Sequence, residues 1–198
     1  MKENSLERLS NKIWLTRASR FAAYRRMTNH DIFCNLSIAI LTVIIIGINL
    51  LVFILPQDMT NTITILTIML SVFVLAISQH IYARDFKIKA HKFHECGCEL
   101  SLLYDEIELI KGNDISIDQI KELYKKYEDI IIKYNENHSY LDYKLVKAKT
   151  NIENAHKSIT KHLTLYLLIC KYYIIEYLIY ILLISTPYFC WKLLECLS

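Results

Sequence analysis

The chain has 198 residues, 54% of them hydrophobic, with three Gly, two Pro and a formal net charge of +3. So few breakers exclude a fold rich in tight turns, and so small a charge gives no reason to expect direct nucleic-acid binding. The six cysteines match no small secreted disulfide framework and read as reduced thiols.

Apolar residues collect in three blocks with the charges between them, whereas a soluble domain would mix the two at helical or strand spacing. Residues 1–31 come first, with seven Lys/Arg and three Asp/Glu. Leu6, Leu9, Ile13, Phe21 and Tyr24 recur near helical spacing, with Arg8, Lys12, Arg17, Arg20, Arg25 and Arg26 mostly between them. This pattern predicts a basic amphipathic helix lying along the inner leaflet, its Arg17/Arg20/Arg25/Arg26 cluster at the membrane surface. No small-residue cleavage site follows the first apolar block, so a cleavable signal peptide is not expected.

Ile32–Leu55 is 24 residues without a charge, and at about 1.5 Å per residue it reaches across a hydrocarbon core of roughly 30 Å. Pro56-Gln57-Asp58 ends it, and Ile63–Tyr82 supplies a second crossing. Residues 32–82 therefore read as a transmembrane helical hairpin. Its short loop has no Lys or Arg, while Arg84, Lys87, Lys89 and Lys92 follow the second crossing and the 1–31 segment is basic. That asymmetry puts the loop outside and both flanks in the cytoplasm.

Residues 83–161 balance 14 Lys/Arg against 14 Asp/Glu. The second crossing is expected to run on as one helix to Lys111, where Gly112-Asn113 stops it. Ser116-Ile117-Asp118-Gln119 has the form of a capping box. Ile117, Ile120, Leu123, Tyr124, Tyr127 and Ile131 mark one face of the helix it opens. After a break at Asn135–His138, Ser139 caps a third helix with Tyr140, Leu141, Leu145 and Val146. These helices suit a cytoplasmic bundle or coiled hairpin completed by oligomer contacts. The last block, within residues 162–198, is apolar except for Lys171 and Glu176 over Leu163–Trp191. Two readings stand for it: a third crossing at Tyr172–Trp191, or a helix lying in plane or re-entrant against the hairpin. The fold class is an all-α membrane protein.

The hairpin's polar residues fall in stripes. Asn35, Thr42 and Asn49 are spaced i, i+7, i+14, and Thr60, Thr64, Thr67, Ser71 and Ser78 fall on one face of the second helix. Lipid gives hydroxyls and amides no partner, so the stripes should face protein or water. They line a pore shared by several subunits, or they only pack helix on helix. His91, His94, Cys96 and Cys98 are the one metal-like group, but the second half of a zinc site is missing, so no cofactor or metal is expected. No nucleophile elbow, phosphate loop, paired-carboxylate site or H-E-x-x-H motif occurs, which argues against an enzyme.

Three features share an order of parts with a known family. Trp14-Leu15-Thr16-Arg17-Ala18-Ser19-Arg20-Phe21 with Tyr24-Arg25-Arg26 looks like a basic lead-in helix. Two crossings with a minimal loop follow, and Tyr82 to Leu103, with Ala90-His91 and Glu99-Leu100, looks like a juxtamembrane helix. The first 110 residues thus resemble the SLATT family, the two-transmembrane effector domains associated with SMODS and SLOG domains. The longer cytoplasmic helices and last apolar block resemble the subfamily accompanying reverse transcriptases. The resemblance implies a homo-oligomeric effector of the bacterial inner membrane in antiphage defence. It would form a pore or disrupt the membrane when a nucleotide second-messenger synthase or reverse-transcriptase partner senses infection, causing abortive infection. The rival reading is a non-conducting adaptor that recruits a cytoplasmic partner.

Overall fold

The structure is a computed structural model that describes residues 2–54, 56–112 and 115–154, with ten further positions from Leu167 to Lys192. The predicted crossing at Tyr172–Trp191, Glu176 included, lies outside the described residues except at some of those positions. Among the described residues five helices are delimited, in order: α1 (Lys2–Leu51), α2 (Gln57–Tyr82), α3 (Phe86–Ile110), α4 (Ile117–Tyr134) and α5 (Tyr140–Asn154). No strand occurs among the described residues.

Three boundaries differ from the sequence expectation. α1 continues without a break past residue 31, because nothing between Lys2 and Leu51 is a proline and Gly47 is the only glycine. It ends at Leu51, four residues short of the end of the apolar run, ahead of Pro56. Proline cannot donate a backbone hydrogen bond, and it pushes the residue before it out of the α region. α2 and α3 are separate helices, not one helix to Lys111. Ala83–Asp85 turn between them, with Asp85 at φ 51° in the left-handed region that ends a helix.

The chain divides into two compact units, Met1–Thr28 with Lys87–Tyr172, and Asn29–Phe86 with Tyr173–Ser198. The first is a helical bundle. Leu6, Leu9 and Ile13 on α1 recur at i, i+3, i+7, and Cys96, Leu100, Leu103 and Ile107 on α3 at i, i+4, i+7, i+11. These stripes meet each other and Leu123 and Tyr127 of α4 in one buried core. Each fully buried Leu or Ile contributes about 1.5–3 kcal/mol. The apolar face of residues 1–31 is thus covered by protein, where the sequence alone suggests lipid.

α1 and α3 run antiparallel. Ser10 donates to Glu108 at 3.0 Å, Arg17 stacks on the Tyr104 ring at 4.6 Å, and Phe21 lies on Gly97. α3 and α4 also run antiparallel, held at the rim by Lys126–Glu106 (2.7 Å), Lys133–Glu99 and Lys92–Glu136 (3.4 Å). Such exposed pairs fix register more than stability, at about 0–1 kcal/mol each.

The predicted capping box forms: Gln119 N–H donates to Ser116 Oγ at 3.2 Å and Ser116 N–H to Gln119 Oε1 at 2.8 Å. Gly112 takes φ 93° just past α3, and Asn135 takes φ 40° at the end of α4, both left-handed stops.

Gly97 is the tightest point of the bundle. A Cβ there would lie 2.9 Å from two carbons of the Phe21 ring. Gly97→Leu should therefore destabilise the bundle by about 1–3 kcal/mol through overpacking, even though a helix-interior glycine is itself a poor helix former. Urea unfolding of the two proteins in the same detergent measures the difference. A variant as stable as the parent would mean that the ring moves aside freely.

The second unit holds the hairpin. Cys34, Ser37, Leu41 and Ile45 of α1, spaced i, i+3, i+7, i+11, are buried, as are Ile63, Thr67 and Leu70 of α2. The opposite faces are bare apolar surface: Val43, Ile46 and Leu50 on α1, and Ile65, Ile68, Met69, Val72 and Leu75 on α2, are all more than half exposed. Among the described residues two helices are long and apolar enough to cross a membrane, and only 22% of each apolar window is buried inside the chain. A soluble core helix would be mostly covered, so these faces are lipid-type surface.

Candidate functional site

The polar stripes of the hairpin show two kinds of hydrogen bond. Most groups bond their own helix one turn back. Asn35 Nδ2 donates to Asp31 O (2.8 Å), Thr42 Oγ1 to Ile38 O (2.8 Å), and Thr60 Oγ1 to Pro56 O (3.1 Å). Thr64, Ser71 and Ser78 do the same to Thr60, Thr67 and Val74 at 2.7–2.8 Å. Such bonds shelter a donor hydrogen in an apolar setting but leave oxygen lone pairs facing outward.

One pair crosses between the helices. Thr67 Oγ1 donates to Asn49 Oδ1 at 2.9 Å, while Asn49 Nδ2 donates to Ile45 O at 3.0 Å. Thr67 is buried, whereas Asn35, Thr42, Asn49 and Ser71 are exposed in the single chain. The structure therefore brings Asn49 and Thr67 together. It leaves Asn35 and Thr42 on the outer surface of α1, beside the buried seam rather than in it. The sequence reading misses Ser37, which sits in the seam one turn from Cys34 and Leu41. Its spacing with those residues is the available signal.

Nearer the start of the apolar run, Asn29 to Cys34 meet two tyrosines of the last block. Asn29 Nδ2 donates to Tyr177 Oη at 2.9 Å, and His30 Nδ1 and Cys34 Sγ both bond Tyr180 Oη. Phe33 packs against both tyrosine rings, and His30 stacks on Phe86 at 5.4 Å.

The basic cluster of α1 separates by role. Arg25 is exposed, and Arg17 lies over Tyr104. Arg26 reaches α5, donating from Nε to Asp142 Oδ1 and from Nη2 to Asp142 Oδ2, both at 3.0 Å. Asp142 is fully buried and also accepts from Ser139 N–H at 2.9 Å, so one carboxylate both caps α5 and holds Arg26. Arg20 is buried, with Cζ 5.5 Å from the Phe93 ring. Sequence reasoning places it on the membrane surface because a single arginine on a basic stripe carries no sign of burial.

The four metal-like residues do not converge. Cys96 is in the core and Cys98 is exposed, 3.8 Å from His94 Nδ1. His94 packs against Phe21 and Tyr24, and His91 bonds Glu95 at 3.3 Å. Among the described residues no three His, Cys, Asp or Glu side chains could share an ion.

His138 lies in the 135–139 linker. Burial, helped by repulsion from the Arg20 charge and opposed by Asp142, pushes its imidazole below the ordinary value of 6.5. The unfolded chain then binds a proton at His138 at a higher pH than the folded chain does. This contribution to stability is complete above about 6.5 and is lost as pH falls toward the folded value. Urea unfolding at pH 7.5 and 5.5 should show a larger acid loss for the parent than for His138→Gln. Equal losses would mean that His138 titrates normally.

A family model described as SMODS and SLOG-associating 2TM effector domain family 5 matches residues 2–193. No curated protein and no solved structure matches the chain.

Proposed function

The chain belongs to the SMODS and SLOG-associating 2TM effector domain family 5, and from that premise we propose that it acts by making the bacterial inner membrane leak. The family supports a membrane-associated effector linked to SMODS and SLOG nucleotide-sensing systems. In this reading both flanks of the hairpin are cytoplasmic, following the basic residues, and several copies assemble in the bilayer. A partner sensor triggers them: a nucleotide second-messenger synthase, with a reverse-transcriptase system as the alternative. The cytoplasmic helices then rearrange, a path opens along the polar stripes, the cell stops growing or dies, and phage spread is limited.

The carrying observation is the exposed polar surface of α1. Asn35 and Thr42 offer oxygen lone pairs on a stretch of α1 whose other exposed residues are apolar. A second copy or a file of water satisfies those groups, and lipid does not. The test is membrane potential in cells carrying the chain with its partner system. Depolarisation on triggering supports the reading, and a maintained potential during growth arrest contradicts it.

One observation favours the adaptor reading. Most of the hairpin's hydroxyl donors are already held by their own backbone carbonyls, which lets them pack against a neighbour with no water present. An adaptor would keep the membrane sealed while its cytoplasmic helices hold the partner.

A further inference from the structure

Arg20 is 2% exposed, and its Nε and Nη1 atoms are sealed from solvent with no hydrogen-bond partner. A guanidinium is always charged in a protein, and a buried unpaired charge is strongly unfavourable. The Phe93 ring offers it a π-face but no acceptor for its N–H groups.

The anions near it are engaged elsewhere. Both oxygens of Asp142 are taken by Arg26, and Ser139 N–H shares one of them. Glu99 is held by Lys133 and by Tyr134 Oη at 2.9 Å. The Cys96 thiol feels the Arg20 charge, but burial pushes it up further, so it stays neutral.

Another polar atom nearby is also unsatisfied. His138 Nδ1 is buried without a partner, and the Arg20 charge acts on that ring. A guanidinium and an imidazole can both donate, which suits a ligand that carries several acceptor oxygens and negative charge.

We propose that Arg20, with His138, forms a binding site for an oxyanion of the phosphate class in the helical bundle. The ligand enters by displacement of the 135–139 linker, which carries His138 and joins α4 to α5. It supplies the missing counterion and ties α1 to the α4–α5 junction. The site is independent of whether the hairpin conducts.

The test uses the full chain in dodecyl maltoside micelles, which carry no phosphate. Potassium phosphate is titrated against potassium chloride of equal ionic strength while backbone hydrogen exchange is followed over residues 135–142. Phosphate should slow exchange there and saturate. Arg20→Met keeps the apolar stem and removes the unpaired charge, so it should fold and weaken the apparent affinity by about tenfold or more. If that protein does not fold, His138→Gln serves for the same comparison and should weaken the response. A second arm adds phosphatidylglycerol to phosphate-free micelles. Slowing in that arm alone assigns the bound phosphate group to a lipid, and slowing with inorganic phosphate assigns it to a soluble ligand. No slowing in either arm, or an equal response in Arg20→Met, would overturn the site and leave Arg20 as a sealed structural charge.

Discussion

Asp142→Ala should lower the stability of the helical bundle by about 3–5 kcal/mol, the range for removing one partner of a buried ion pair. Asp142 is fully buried, and Arg26 keeps only 15% of its side-chain surface. Deleting the carboxylate removes both acceptors that hold Arg26 to α5 and at the same time the acceptor of Ser139 N–H at the start of α5. Arg26→Leu with Asp142→Leu should recover most of the loss, because an apolar pair avoids the desolvation of both charges. Urea unfolding, with hydrogen exchange over α5, reads both effects. A loss below about 1 kcal/mol would place the pair in the class of solvent-screened surface bridges.

Asn49→Leu and Thr67→Leu should each cut the triggered depolarisation by about tenfold, equivalent to roughly 1.4 kcal/mol on the barrier to flux. Asn49 is exposed on α1 and is joined to Thr67 by a side-chain hydrogen bond between the stripes. Replacing either residue removes a polar group from the proposed path. The hairpin itself should survive, since a hydrogen bond between membrane helices is worth only about 0.6–1.7 kcal/mol. Unchanged insertion with lost depolarisation supports conduction along the stripes. Full depolarisation by both variants would remove the stripes from the path.

Much of the fold is legible in the sequence because its signals are local. The uncharged runs, Pro56, the Ser116–Gln119 box and the stop after α3 each act within a few residues of themselves. The apolar spacing of Leu6, Leu9 and Ile13 also shows a buried face, but periodicity cannot say what buries it. Lipid is the neighbour that the basic stripe suggests, and α3 and α4 are the ones found. The break at Ala83–Asp85 has no Gly or Pro to announce it, since Asp85 takes the left-handed conformation itself.

The candidate site is legible by composition and not by pairing. Spacing puts Asn49 and Thr67 on polar stripes, but nothing local says that these two meet while Asn35 and Thr42 face outward. Arg20 and Arg26 look alike on the basic stripe of α1. Their fates diverge only because Asp142, 116 residues beyond Arg26, arrives beside one of them.

Ion efflux from liposomes holding the purified full-length chain tests the account most directly. With the partner and its trigger added, the parent should release trapped potassium, and Asn49→Leu should release far less. Liposomes that stay sealed in the presence of an active partner would contradict a conducting effector.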